Sequence, residues 1–325
     1  MTLTPVGANA APRPAAVAQA SAPIRFDFHN HFLLNLHHWL FVLSRRADLS
    51  FDQHMARTPW LAAPNETELQ ALSEAAAFYR GNYAALDFPF DEGLERLRHA
   101  LIAAPDDQQA SLGLALPPAL AAQLDRVAPL YARGLWPVHR HSNARWIRVA
   151  EALNARHGAS IQARLEQLFG QRFAMQRFRD DVVYATSDIR GAYTPDGPPQ
   201  SVLPSHREEY QGLAALEMLY HEASHTGPVE ALFTQVNTKR QALGRGADRP
   251  ALWHALQFYT VGEVVRQRLR EHDGVDYQPY ALKNGVYGRG WAKMLAPMQR
   301  HWQAYIDGQL SLDQALDRLL VELPD

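Results

Sequence analysis

Residues 216–228 read LEMLYHEASHTGP, and this stretch decides how the rest of the chain is read. Leu213, Leu216, Leu219 and Tyr220 lead at helical spacing into His221, and Thr226-Gly227-Pro228 stops the helix after His225. Four residues along a helix bring a side chain back to the same face one turn on, so His221 and His225 can share one ion. Glu222 lies beside them, one position around. The pattern H-E-x-x-H supplies two zinc ligands and a general base in five residues, because zinc takes neutral imidazole nitrogens and lowers the pKa of water to about 7. A chain with 15 histidines can produce this pattern by chance, so its surroundings must decide. A buried helix face carrying two histidines and a glutamate is costly unless something satisfies them, and a metal ion does.

Cysteine is absent, which leaves His, Asp and Glu as the available metal ligands and rules out disulfides and cysteine nucleophiles. The third ligand is not the one that extends H-E-x-x-H in metzincins, because Pro228 and Ala231 occupy the glycine and histidine positions. Glu263 is the better candidate. Leu252, Leu256 and Tyr259 form a helical stripe that reaches it, and a carboxylate on an apolar face calls for a partner. His254 stands nine residues before Glu263, half a turn out of phase, so the two cannot share an ion on one regular helix. It stays open as an alternative third ligand or as a residue lining the cleft. Glu217, one turn before His221, either faces solvent or orients an imidazole.

With these residues in place the sequence resembles the gluzincin metallopeptidases, in which a helix bearing H-E-x-x-H is followed by a second helix that donates a glutamate. The resemblance covers about residues 180–270. It implies His221, His225 and Glu263 on Zn2+, Glu222 as catalytic base, and a peptide or protein substrate held along the edge of a small sheet formed by residues 180–204. Zincins also place a tyrosine, histidine or arginine beside the metal to stabilise the oxyanion. The glycine-broken loop after the ligand helix offers Tyr277, Tyr280, Tyr287 and Arg289, with Tyr280 and Tyr287 as the catalytic candidates.

The 325 residues, 47% hydrophobic, suffice for a substantial core. A formal charge of -2 without a basic run gives no nucleic-acid footprint, and no apolar run is long enough for a membrane span. Residues 1–25, rich in alanine and proline, read as a disordered tail; the small-residue triplet at 20–22 leaves open an export-signal remnant, and with it a periplasmic or secreted location, against a plain cytoplasmic tail. Residues 26–175 read as a helical N-terminal region. Its helices fall at 65–84, opening on an Asn65/Glu68 capping box, and at 91–104, 117–133, 137–157 and 159–169. Residues 176–325 form the metal-binding region, beginning with short strands at 180–204. A long helix capped by Ser205 follows them. The expected fold class is α+β, predominantly α-helical, with a zincin-like core, one small sheet and an H-E-x-x-H helix packed as one unit with the N-terminal helices.

Two other readings remain. One is a non-catalytic helical binding protein that uses the same residues as a structural metal site or buried polar network. The other places a metal at His29 and His31, which fall on one face of an extended strand but have no obvious acidic partner nearby. His37 and His38 project about 100° apart and read as packing histidines, on a helix that could roof the cleft.

Overall fold

The computed structural model describes residues 23–46, 50–86, 91–187, 191–195, 197–248 and 251–323. Apart from its last three residues, the stretch read as a disordered tail lies outside the described residues. Those three already belong to the fold: Ile24 is buried, and Arg25 opens strand β1 (Arg25–His29). Six helices follow, α1 (Phe32–Arg45), α2 (Phe51–Arg57), α3 (Glu66–Asn82), α4 (Glu92–Ile102), α5 (Pro118–Gly134) and α6 (Trp136–Phe169). The chain then forms β2 (Arg177–Val183), β3 (Gln200–Pro204), α7 (Leu213–Ser224), α8 (Pro228–Ala242) and α9 (Leu252–Asp273). It closes with α10 (Tyr280–Lys283), α11 (Ala292–Pro297), α12 (Gln303–Ile306) and α13 (Leu312–Glu322). The fold is therefore predominantly helical with one small sheet. No helix among the described residues is long and apolar enough to cross a membrane.

The three strands are all parallel, in the order β1-β2-β3, with Phe26 opposite Phe178 and Asp181 opposite Val202. Parallel neighbours need a crossover, and between β1 and β2 that crossover is α1 to α6. After β2 the segment 191–195 turns back against β3, joined by two backbone hydrogen bonds between Tyr193 and Val202 (3.1 and 2.9 Å).

Alternation along the strands builds two cores. Phe178, Val182 and Leu203 face a core with α6, α7 and α9, whereas Val183 and Val202 face one with α1, α3 and α5. Thus α1 lies across the sheet from α7 and does not roof the metal helix. Its His37 and His38 are packing residues as read: His37 bonds the Tyr79 hydroxyl (2.9 Å) and His38 the Thr186 carbonyl (2.9 Å).

Two expected boundaries differ. The helix break near residue 158 does not occur, and α6 runs unbroken past Gly158. A Cβ there would stand 2.7 Å from the Tyr220 hydroxyl, so the glycine serves the close crossing of α6 and α7 rather than a turn. Nor does Ser205 cap the metal helix. Its Oγ lies 2.5 Å from Asn143 Oδ1, and α7 starts only after Gly212, whose φ of 60° breaks the chain. The Asn65 capping box is present, with both bonds at 2.9–3.0 Å.

Candidate metal centre

His221 occupies the last turn of α7, and His225 is its C-cap with near-helical φ and ψ of -63° and -18°. The i, i+4 geometry therefore survives at the helix end, and the two ring centroids are 5.1 Å apart. Gly227, at φ 126°, then turns the chain sharply into α8. The third imidazole is His254, from the first turn of α9. Its centroid is 5.5 Å from that of His221 and 5.2 Å from that of His225, and one nitrogen from each ring lies within 4.8 Å of the others. The residue that starts α9, Ala251, has φ 56°, the one non-glycine residue at positive φ among those described. Phe258 stacks on His221 at 3.9 Å and 26°, fixing its ring.

Glu263, expected as the third ligand, is not brought into this group. It lies two and a half turns beyond His254 on α9, on the other side of the helix. Arg266 binds its carboxylate with Nε at 3.0 and 2.9 Å and Nη2 at 2.6 Å. The carboxylate on an apolar face did have a partner, one turn along its own helix.

Glu222 is buried beside the imidazoles. Its Oε2 accepts a 2.7 Å hydrogen bond from the Thr194 hydroxyl, and burial pushes its pKa up to about 7 against the lowering effect of that bond. Burial, then neighbouring rings, push His221 well below the ordinary range and His225 to about 3; burial takes His254 to about 4. All three are neutral near pH 7, the form that binds a metal. Nδ1 of His221 and Nε2 of His254 are buried without a hydrogen-bond partner, a deficit that a cation bound by the rings would reduce. Three neutral nitrogens near a carboxylate that is not a ligand suit zinc.

The group opens onto a cavity of about 800 Å³ lined by Thr194, Glu222, His225, His254, Tyr280 and Arg289 among others. Tyr280, one of the two expected tyrosines, lies in this wall, its hydroxyl 3.4 Å from that of Tyr210. Tyr287 does not: it is buried in the core against Trp291, with centroids 6.4 Å apart. Glu217 is also buried, not solvent-facing. Its Oε2 accepts from the Tyr277 hydroxyl (2.6 Å) and the Tyr280 amide (2.9 Å), and burial pushes its pKa up to about 7. It pins the loop that carries Tyr280 to the metal helix. Thr194 and Tyr210 escaped sequence reasoning, because only the tertiary fold brings them to the cleft.

Two further groups have metal-like spacing. His29 and His31 do acquire an acid, Asp106, 77 residues from His29, at 3.0 and 3.2 Å. Arg179 Nη2, however, stands 2.5 Å from Nε2 of His31, so a guanidinium already takes that lone pair and the group is a polar network. In the other, His157, His272 and Asp273, Arg156 already neutralises the carboxylate at 2.6 Å. No family model, curated protein or solved structure matches this chain, and the functional reading rests on the geometry above.

Proposed function

We propose that this protein is a zinc-dependent hydrolase acting on peptide bonds, with His221, His225 and His254 as ligands and Glu222 as general base. The observation that carries the reading is the convergence of three neutral imidazoles and a buried carboxylate on the wall of one large cavity. A zinc ion held by these three imidazoles would supply Lewis acidity toward a carbonyl and toward water. Glu222 accepts the proton from water and returns it to the leaving amine, and its pKa near 7 suits both transfers. The Thr194 hydroxyl holds the carboxylate in one orientation. Tyr280 and Arg289 are the donors in the cavity wall available to the oxygen that gains negative charge.

The segment 191–195 borders the same cavity. Tyr193 spends both backbone groups on Val202, so those of Thr194 point away from β3. An extended peptide can pair there, and the zincin-like reading is retained in this form. The departure from the gluzincin pattern is an imidazole in place of the glutamate on the second helix.

The purified protein is expected to carry one zinc per chain and to cleave unstructured peptides. Glu222→Gln should keep the zinc and lose activity by about 10²-fold or more. Zinc-loaded wild type as inert as the Gln variant over a broad peptide panel would favour the non-catalytic binding protein instead.

A further inference from the structure

A second cavity, of about 770 Å³, opens on the other side of the sheet. Its floor is the chain leaving β2 and β3, at Tyr184 and His206, just beyond the carboxyl ends of two parallel strands. That is where open parallel sheets commonly bind ligands. Arg46 enters from the end of α1, Arg57 from the last turn of α2, and Arg207 from the loop after β3. No carboxylate is among the described residues that line it. The chain as a whole has 34 acidic against 32 basic residues, so this concentration of one sign is local. Glu209 pairs with Arg207 at 3.2 Å, and no ion pair engages Arg46 or Arg57 among the described residues. A helix C-terminus favours an arginine, which accounts for Arg46 and Arg57 singly. It does not account for their meeting Arg207, from a different layer, around one cavity. Beneath them His139 stacks flat on Tyr184, with centroids 3.9 Å apart and planes 6° apart. His206 is fixed through a 2.6 Å contact from Nδ1 to the Tyr184 carbonyl.

We propose that this cavity binds a small multivalent oxyanion, a phosphorylated or polycarboxylate metabolite, through Arg46, Arg57 and Arg207. Arginine forks match both oxyanions, and a cavity of this size holds a small molecule.

Calorimetric titration of the full chain with inorganic pyrophosphate and with citrate tests it. At least one probe should bind saturably, one per chain, more weakly as salt rises. Stronger binding of pyrophosphate indicates a phosphorylated ligand, stronger binding of citrate a polycarboxylate. Arg46→Ala/Arg57→Ala, at two exposed positions, should weaken binding by about tenfold or more, and Arg207→Ala should do the same. His225→Ala should leave it unchanged, which separates this cavity from anion capture at the metal cleft. No saturable binding at millimolar concentrations, equal binding by the arginine variants, or loss of binding in His225→Ala would each overturn the assignment.

Discussion

Thr194 makes the contact on which the chemistry of Glu222 depends most directly. Its hydroxyl lies 2.7 Å from Oε2 of a buried carboxylate whose pKa burial pushes up to about 7. Thr194→Val keeps the shape and removes the donor, so zinc content should hold while peptide hydrolysis falls by about tenfold; full activity in this variant would remove Thr194 from the account. Nothing in the sequence marks Thr194, which sits 28 residues from Glu222 in a glycine- and proline-rich stretch. His221, Glu222 and His225 were legible, because helical periodicity alone puts two histidines on one face. His254 and Glu263 were legible as alternatives half a turn out of phase. Choosing between them depended on Arg266, whose i, i+3 bond to Glu263 is a local fact that the apolar-stripe argument did not include.

Among the elements, α7 and α9 must approach closely for His254 to reach the other two rings. Gly262 permits it: a Cβ at this position would fall 2.7 Å from Pro279 Cβ and 3.0 Å from Glu217 Oε1. Gly262→Ala is expected to destabilise by about 1–3 kcal/mol in urea unfolding and to weaken zinc retention, since it pushes α9 away from α7. Unchanged stability would mean that the contact is slack. Helices with capping signals or strong periodicity were read close to their observed limits, as at Asn65. Strand β1 was missed in part, because five residues that alternate phenylalanine with polar groups follow directly on an alanine- and proline-rich stretch. Only its pairing with β2, about 150 positions away, makes it a strand.

For the whole molecule, the sheet lies between two cavities, one lined by the three imidazoles and the other by arginines. The second was not legible, since its arginines are scattered from position 46 to 207. The fold also holds histidines away from water. Burial pushes His139 down to about 3, against an ordinary value of 6.5. Its contribution is complete above pH 6.5 and is lost as pH falls toward 3, because the unfolded chain takes up a proton that the folded chain refuses. His139→Gln should therefore gain on wild type by about 1.4 kcal/mol per pH unit below pH 6 in urea unfolding. A gap that stays constant with pH would contradict the buried neutral ring.

Zinc stoichiometry after dialysis against a weak chelator reads out which residues hold the metal. His254→Ala should lose the metal that wild type retains, while Glu263→Gln should keep it at one per chain. Retention by His254→Ala together with loss by Glu263→Gln would contradict the three-histidine centre.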